Sequence, residues 1–350
     1  EYRPLEGFVA AISPFNFTAI GANLSSAPAQ MGNVVLWKPS ETAALSNYII
    51  FKILQEAGLP DGVIQFLPSN GPVFGDAVLH SGDFTGLNFT GSTPTFNHLW
   101  RTIASNLERY RTYPRIVGET GGKNYHYIHP SADVENVVHN TIRGAFEYSG
   151  QKCSATSRVY VPSSLWGQIY ARIMEEMKNI TVGKPNDPTS FTSAVIDEKS
   201  FDKIAGFIER AQKDKDVEII WGGRCDKSQG YFIEPTIIVT KNPKSETMIS
   251  EIFGPVLTIY VYSDDSTNMD EVLKLVNDTS PYALSGSIFA RDRYAIVKAA
   301  NALRNSSGNF YINEKSTGAV VGQQPFGGAR SSGTNDKAGA EANLHRWVSA

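Results

Sequence analysis

Residues 146–155 read FEYSGQKCSA and place Cys153, one of only two cysteines in 350 residues, behind a Gly-Gln-Lys turn. Apolar residues recur at helical spacing through residues 134–148, so this pattern predicts a helix that stops at Ser149-Gly150. Cys153 would then lie on a loop. A thiol is a nucleophile only as the thiolate, which nearby positive charge stabilises, and Lys152 supplies such a charge. The alternative is a small buried apolar residue.

Short apolar runs alternate with helical patterns on both sides of this stretch. Strands are predicted first at residues 8–12, 34–37, 63–67, 86–90 and 115–117, and then at 158–161, 218–221, 236–239, 256–262, 285–289 and 309–312. Helices are predicted at residues 19–31, 41–57, 72–80 and 94–109, and then at 164–178, 199–213, 268–277 and 291–303. This alternation predicts an α/β fold with a doubly wound, Rossmann-like parallel sheet, which binds ligands at the carboxyl ends of its strands.

The composition excludes several classes of protein. A net charge of −3 gives no general attraction to nucleic acid or to an anionic membrane. Two cysteines are too few for a disulfide framework, and no apolar run approaches the roughly 20 residues of a membrane span. His126 and His129 lack carboxylates or cysteines at ligand spacing, so we expect no metal site. Because a core strand begins so soon after Glu1, we expect the chain to be part of a longer protein.

Three loops are candidates for a nucleotide site, although neither G-x-G-x-x-G nor G-x-x-x-x-G-K-[ST] occurs. Lys38 follows a strand and could bond ribose hydroxyls, while Glu41 could accept from the 2′-hydroxyl and would favour NAD over NADP. The stretch NFTGSTPT (88–95) ends a strand and opens a helix, whose N-terminus suits a pyrophosphate. Gly71-Pro72 opens another helix at the same edge. The alternative for each is an ordinary strand-to-helix turn.

Two further polar residues follow predicted strands. Glu119, in VGETGGK (117–123), is a candidate general base, and Asn16, in ISPFNFT (12–18), is a candidate donor to an oxyanion. Their alternatives are a solvated glutamate and a turn asparagine. The Gly-, Ser- and Gln-rich segment 318–337 is too long for an ordinary connection, which indicates a functional loop.

Taken together, these motifs resemble one family, the NAD(P)-dependent aldehyde dehydrogenases, from end to end. They are Asn16, Lys38, Gly91-Ser92, Glu119, Cys153 and EIFGP (251–255), in that order. Glu119 and Cys153 lie 34 positions apart (153 − 119), as base and nucleophile do in that family. The segment KSTGAVVGQQPFGGARSSGTND (315–336) is similar to the loop with which some members hold the α-carboxylate and α-amine of glutamate γ-semialdehyde.

The resemblance implies a role for each matching residue. Cys153 would be the nucleophile and Glu119 the base, while the Asn16 side chain and the Cys153 N–H would form the oxyanion hole. NAD would be held by Ser13, Lys38, Glu41, Gly91, Ser92, Thr93, Pro94, Thr95, Glu251 and Phe253. The substrate pocket would include Lys152, Ser154, Gly318, Ala319 and Phe326. Ala319 departs from the Thr-Gly-Ser that these members have, which removes a hydroxyl donor to the substrate carboxylate.

The resemblance also implies the domain boundaries, the reaction, the oligomeric state and the cellular compartment. We expect an NAD-binding domain at residues 1–121, incomplete at its N-terminus, a catalytic domain at 122–328 and a return segment at 329–350. The expected reaction is NAD-dependent oxidation of glutamate γ-semialdehyde to glutamate, in a homodimer or higher oligomer of the mitochondrial matrix. The alternatives are a different aldehyde dehydrogenase activity, such as a CoA-acylating one, and an inactive structural member of the family.

Overall fold

A computed structural model describes residues 1–266, 268–320 and 322–350. It divides into two compact units. The first consists of Glu1–Gly121, Ala319–Gly328 and Ser332–Ala350, and the second of Gly122–Gly318 and Ala329–Ser331. The chain thus returns to the first unit at Ala319, earlier than residue 329. The reason is an antiparallel bridge in which Phe326 and Ala338 exchange two main-chain hydrogen bonds of 3.0 and 2.7 Å.

Parallel strands form the sheet of the first unit. They are β1 (Phe8–Ile12), β2 (Val34–Lys38), β3 (Ile64–Phe66), β4 (Phe84–Thr90) and β5 (Arg115–Glu119), joined by α1 (Thr18–Gln30), α2 (Ala44–Glu56), α3 (Gly71–Leu79) and α4 (Thr93–Ser105). Within the described residues the order across the sheet is β3-β2-β1-β4-β5. The winding therefore reverses between β1 and β4, which makes the carboxyl ends of these two strands the switch point where such sheets bind ligands.

Alternating side chains of β1 explain why helices cover both faces of this sheet. Val9 and Ala11 pack with α1 residues on one face, and Ala10 packs with α3 and α4 residues on the other. Trp347 completes the first of these clusters and is fully buried, and its carbonyl accepts a 2.8 Å hydrogen bond from Asn33 Nδ2. The doubly wound fold that the sequence predicts is confirmed.

The second unit contains a larger, mostly parallel sheet. Its strands are β6 (Asn124–Ile128), β7 (Thr156–Pro162), β8 (Val217–Trp221), β9 (Thr236–Thr240), β10 (Val256–Tyr262), β11 (Ser285–Phe289) and β12 (Asn309–Ile312). Its helices are α5 (Val134–Phe146), α6 (Ser163–Glu176), α7 (Glu198–Lys213), α8 (Glu246–Ile249), α9 (Met269–Asp278) and α10 (Arg293–Leu303). In the described part of the chain the order is β12-β11-β6-β7-β10-β9-β8, and only β8, at the edge, runs antiparallel. Residues of α5 and α6 cover one face, and residues of α9 and α10 the other.

Strand β6 is not among the predicted strands, although it lies between β11 and β7 and is wholly buried. Its sequence, NYHYI, includes an asparagine and a histidine, which argue against a buried strand. Both are satisfied by hydrogen bonds inside the unit. His126 Nδ1 lies 3.0 Å from the Thr141 hydroxyl and its Nε2 lies 3.0 Å from the Thr156 hydroxyl.

Shorter elements complete the chain. Two-residue strands pair antiparallel as Arg3–Pro4 with Val348–Ser349, Cys225–Asp226 with Phe232–Ile233, and Tyr282–Ala283 with Ala329–Arg330. Glu341–Leu344 is a short α-helix, α11, and 3₁₀ turns occupy Glu41–Ala43, Leu107–Arg109, Glu147–Gly150, Met177–Asn179 and His345–Trp347. Among the described residues no helix combines the length and apolarity that a membrane crossing requires.

Candidate active site

A strained turn precedes Cys153 in the second unit. Helix α5 ends at Phe146, and Tyr148, Ser149 and Gly150 then adopt left-handed φ angles of 55°, 55° and 64°. Side chains rarely occupy this region, and such conformations persist only where surrounding contacts hold them. Thr192 provides such a contact, because its hydroxyl accepts from the Ser149 N–H at 2.9 Å and lies 2.7 Å from the Ser149 hydroxyl.

Cys153 itself lies on the loop between this turn and β7, as predicted. The residue is 8% exposed, and it is a thiol, as is Cys225. The turn closes through a 3.1 Å hydrogen bond from the Ala155 N–H to the Lys152 carbonyl. Gln151 ties the loop to a distant segment, since its Oε1 accepts from the Ile196 N–H at 2.8 Å. The loop that presents the thiol is therefore held from several directions.

Lys152, which the sequence places beside the Cys153 thiol, forms a salt bridge with Glu147. Its ammonium donates to Glu147 Oε2 at 2.6 Å, and its side chain is only 10% exposed. Burial acts to raise the pKa of Glu147, but the hydrogen bond and charge of Lys152 outweigh it and hold that pKa below its usual value. Lys152 thus neutralises a carboxylate, so its positive charge is not wholly available to the neighbouring thiol.

Buried hydroxyls connect the cysteine loop to the start of the long loop in the second unit. The Ser154 hydroxyl lies 2.7 Å from that of Thr317, and the Ser316 hydroxyl donates to the Ser154 carbonyl at 3.1 Å. Gly318, the next residue, has a left-handed φ of 94° and is exposed. Among the predicted substrate residues, Ser154 and Gly318 are thus placed near each other along this network.

Two predicted cofactor residues lie in the segment before β10. Glu251 Oε1 accepts from the Gly122 N–H at 2.8 Å, and burial raises the pKa of Glu251 against the opposing effects of that bond, Lys203 and Lys123. Phe253 adopts a left-handed φ of 61°, a strained conformation for a bulky residue. Strain of this kind concentrates at functional sites.

A buried lysine that the sequence analysis did not select lies beside Glu251. The Lys123 ammonium donates to the Ser157 hydroxyl at 2.6 Å, and the residue is 2% exposed. Burial and the charge of Arg158 lower the pKa of Lys123 to about 7, although Glu251 opposes this. Lys123 therefore changes its charge near neutral pH.

In the first unit, Glu119 is the last residue of β5. The residue is partly accessible, but its Oε1 is buried, and no described residue donates a hydrogen bond to that atom. Burial raises the pKa of the Glu119 carboxyl well above its ordinary value, against the opposing effects of a hydrogen bond from Gly328 and the charge of Lys337. A carboxylate with a raised pKa is suited to take a proton near neutral pH.

Residues 332–334, near the end of the loop 318–337, hydrogen-bond to the backbone on both sides of Glu119. The Thr120 N–H donates to the Ser332 carbonyl at 2.9 Å, and the Thr334 N–H donates to the Gly118 carbonyl at 2.9 Å. The Thr334 hydroxyl also accepts from the Gly118 N–H at 3.0 Å. The backbone on both sides of Glu119 is thus fixed by residues 332–334. Sequence patterns gave no sign of this contact, because the partners are more than 200 positions apart.

Three predicted cofactor residues of the first unit, Ser13, Lys38 and Glu41, and the predicted oxyanion donor Asn16 lie at or just after the carboxyl ends of β1 and β2. Ser13 follows β1, and its hydroxyl accepts from Trp37 Nε1 at 3.0 Å. Half-buried Asn16 lies between β1 and α1. Lys38 ends β2 and donates to the Pro39 carbonyl at 3.0 Å, and burial lowers its pKa, with Glu41 opposing. Glu41 is exposed at the start of the next turn.

The loop after β4 has the predicted form of a phosphate-binding helix start. Ser92 caps α4, since its hydroxyl accepts from the Thr95 N–H at 3.3 Å, and Pro94 lies in the first turn. The Thr93 hydroxyl accepts from the Gly121 N–H at 3.4 Å. A helix start here, with Lys38 and Glu41 as donor and acceptor for ribose hydroxyls, fits a dinucleotide by the chemistry of its groups. Within the described residues no group of three or more histidine, cysteine, aspartate or glutamate side chains is arranged to hold a metal ion.

Both units carry features that define a family. A doubly wound unit with its ligand edge at β1 and β4, and an α/β unit with a thiol on a constrained loop, are joined in one chain. The model of the aldehyde dehydrogenase family matches residues 1–350. The chain belongs to the aldehyde dehydrogenase family, as the resemblance of its motifs predicts.

The chain is similar to enzymes of one kind within that family. It is 61% identical over 351 residues to the mitochondrial delta-1-pyrroline-5-carboxylate dehydrogenase of Dictyostelium discoideum, covering 100% of this chain and 62% of the relative. It is 58% identical over 349 residues to the mitochondrial enzyme of that name from Homo sapiens, covering 99% of this chain and 62% of the relative. The solved structure of the NAD-bound enzyme from Mycobacterium tuberculosis matches with a TM-score of 0.94 at 45% identity, over 100% of this chain and 64% of that one. The chain thus spans about three-fifths of the length of these relatives.

Proposed function

We propose that the protein carrying this chain oxidises glutamate γ-semialdehyde to glutamate with NAD. The proposal is carried by what each unit contributes to a chain similar to pyrroline-5-carboxylate dehydrogenases: a constrained buried thiol, Cys153, in the second unit and a carboxyl of raised pKa, Glu119, in the first. A thiol nucleophile and a carboxylate base are what an aldehyde oxidation through a thioester requires.

The first step belongs to Cys153. Its thiolate attacks the aldehyde carbon, so that a carbon–sulfur bond forms and the carbonyl oxygen takes the electron pair as an oxyanion. The Asn16 side-chain amide and the Cys153 N–H are the proposed donors to this oxygen. Donors held in place for a developing negative charge typically contribute 10² to 10³ in rate, which is about 2.7–4 kcal/mol.

The residues proposed to hold NAD are those that the family resemblance indicates. Ser13, Lys38, Glu41, the helix start at residues 91–95, Glu251 and Phe253 would hold NAD. When bound, NAD supplies an acceptor for the hydride that leaves the tetrahedral carbon, and Cys153 is left as a thioester. Exposed Glu41 would repel the 2′-phosphate of NADP, which favours NAD.

Glu119 completes the reaction. It takes a proton from a water molecule, which attacks the thioester carbon, and the carbon–sulfur bond breaks to release glutamate and the thiolate. The raised pKa of Glu119 fits a base that must accept a proton at this step and lose it again before the next turnover. The hydrogen bond from Gly328 and the charge of Lys337 act in the opposite direction, since both lower that pKa.

The substrate assignment is supported by the loop that follows Thr317. Lys152, Ser154, Gly318, Ala319 and Phe326 are the residues proposed to line the pocket. Dedicated hydrogen-bonding groups reject analogues that leave them unpaired, so a polar loop suits an amino-acid aldehyde. Ala319 lacks the hydroxyl of the serine that the family resemblance leads us to expect there, and the loss of one charge-assisted bond costs roughly 1.5–3 kcal/mol of affinity. By similarity to the relatives named mitochondrial, we propose the mitochondrial matrix as the compartment and a homodimer or higher oligomer as the assembly.

A pair of cysteine variants of the intact protein tests the proposal. Cys153→Ala should abolish formation of NADH from glutamate γ-semialdehyde, followed by absorbance, whereas Cys225→Ala should retain it. Turnover by Cys153→Ala would refute the role of that residue. In single-turnover measurements, Glu119→Gln should slow hydrolysis of the thioester more than its formation, and equal loss in both steps would contradict its role as base. Release of the acyl group only on addition of CoA would instead indicate a CoA-acylating enzyme, and failure of the folded protein to bind NAD would favour a structural role.

A further inference from the structure

The Asn124 side chain contacts the cysteine loop at two carbonyl groups, both of which follow the α-carbon of Cys153 in the chain. Its Nδ2 donates to the carbonyl of Cys153 at 2.8 Å and to the carbonyl of Ala155 at 2.8 Å. Its Oδ1 accepts from the Ser285 N–H at 3.0 Å. Because Asn124 is only 2% exposed, water cannot replace these bonds.

The sheet fixes the position from which this amide acts. Asn124 is the first residue of β6 and pairs with Thr156, the first residue of β7, while Ser285 is the first residue of β11. The side chain of Asn124 therefore links the cysteine loop to the first residues of the neighbouring strands β6, β7 and β11. Gly122 lets the chain pass close to the loop, since a β-carbon there would lie 2.2 Å from the Cys153 carbonyl oxygen.

We propose that Asn124 is a positioning residue, which fixes the backbone of Cys153 so that its thiolate and N–H act together on a carbonyl group. The amide holds the carbonyl after the Cys153 Cα, and the bond from the Ala155 N–H to the Lys152 carbonyl, 3.1 Å, closes the turn before it. Neither peptide plane can rotate without breaking a buried hydrogen bond, which costs about 1–3 kcal/mol. The inference rests on the proposed role of Cys153 as nucleophile.

Two thiol reactions separate positioning from simple accessibility. In acylation by p-nitrophenyl acetate, the thiolate attacks the ester carbonyl, an oxyanion forms and collapses, and nitrophenolate leaves while the acetyl thioester remains. In alkylation by iodoacetamide, the thiolate displaces iodide directly and no oxyanion forms. Only acylation depends on backbone donors held in place around the thiol. A loop that has merely become more open changes both rates together.

The experiment uses the intact protein with Asn124→Leu, which keeps the approximate shape of the side chain, and Asn124→Ala, which does not. Asn313→Ala is the matched control, because the Asn313 side chain also makes two hydrogen bonds to the backbone of the same unit. Its Oδ1 accepts from the Ala290 N–H at 2.9 Å, and its Nδ2 donates to the Ala290 carbonyl at 3.0 Å. Nitrophenolate release gives the acylation rate, and peptide mapping gives the alkylation rates of Cys153 and Cys225 separately. Cys225 reports any general loosening of the unit.

In both Asn124 variants, we expect acylation of Cys153 to fall about tenfold or more while its alkylation changes less than about threefold, since small displacements of reacting groups cost far more in an oriented reaction. Asn313→Ala and the alkylation of Cys225 should match the unmodified protein. Acylation and alkylation that change by the same factor in both Asn124 variants, or a loss of acylation in Asn313→Ala as large as theirs, would overturn the inference. Absence of acylation at Cys153 in the unmodified protein would overturn the proposed nucleophile and this inference with it.

Discussion

Gly333 lies so close to Gly118 that a β-carbon on Gly333 would stand 2.3 Å from the Gly118 carbonyl oxygen. The φ angle of Gly333 is 134°, a conformation that other residues rarely adopt. This approach allows Ser332 and Thr334 to bond the residues on either side of Glu119. The glycine is therefore part of the support of the proposed base.

Gly333→Ala should destabilise the protein by about 2 kcal/mol or more, because both a steric clash and an unfavourable φ angle are introduced. Urea unfolding measures the change. Gly322→Ala is the control, since Gly322 also has a positive φ, of 80°, but no described atom lies within 4 Å of its β-carbon position. Equal losses in the two variants would mean that the approach to Gly118 contributes nothing.

Glu119→Gln should change stability in a pH-dependent way. Burial raises the pKa of Glu119 in the folded protein above its unfolded value, so the stability it contributes is present below the unfolded pKa, near 4.5, and is lost as the pH rises through the folded pKa. The glutamine variant avoids the buried charge, so its stability relative to the unmodified protein should increase between pH 5 and pH 8. Urea midpoints across this range test the sign, and a relative stability that falls with pH would contradict it.

Lys123→Met should show the opposite dependence. The folded pKa of Lys123, about 7, is depressed below the ordinary value of 10.5, so the unfolded chain binds more protons between these values and stability rises with pH there by at most about 1.4 kcal/mol per unit. The advantage of the methionine variant should thus be greatest below pH 7 and shrink towards pH 10. Lys199→Met, at an exposed lysine, is the control, and an equal pH dependence in both variants would contradict the role of burial at Lys123.

Thr192→Val should weaken the turn before Cys153. Replacing the hydroxyl by a methyl group leaves the buried Ser149 N–H without its 2.9 Å acceptor, which costs about 1–3 kcal/mol. Thr192→Ser keeps the hydroxyl and should lose less than about 1 kcal/mol. Thermal or urea unfolding distinguishes the two variants. Equal losses would show that the methyl group of Thr192, rather than its hydroxyl, supports the turn.

Periodicity in the sequence predicted most of the fold. The pattern at residues 8–12 identified β1 without error, because its small and apolar residues alternate between two helix-covered faces. Predicted helices 41–57 and 94–109 each proved to combine an α-helix with a 3₁₀ turn, which hydrophobic spacing cannot resolve. Strand β6 was not predicted, because its buried polar residues form hydrogen bonds with residues such as Thr141 and Thr156 that no local sequence pattern reveals.

The candidate site was predictable only where motifs are local. Cys153 and Ser92 were identified from the turns that contain them, and the structure places both at such turns. The contact between Asn124 and Cys153 joins residues 29 positions apart through one side chain and two carbonyl groups, so it leaves no period in the sequence. The salt bridge of Lys152 with Glu147 was missed for a related reason, since it depends on the left-handed turn between them.

The burial of Trp347 among Val9, Val35 and Val117 has a consequence for biosynthesis. The ribosome delivers this indole only after the whole of the segment Gly122–Gly318 has emerged. Until then the nascent first unit lacks part of its interior. Until the segment around Trp347 emerges, newly made chains therefore expose apolar surface of the first unit, which makes the synthesis of that segment a control point for chaperone dependence and for the yield of recombinant expression.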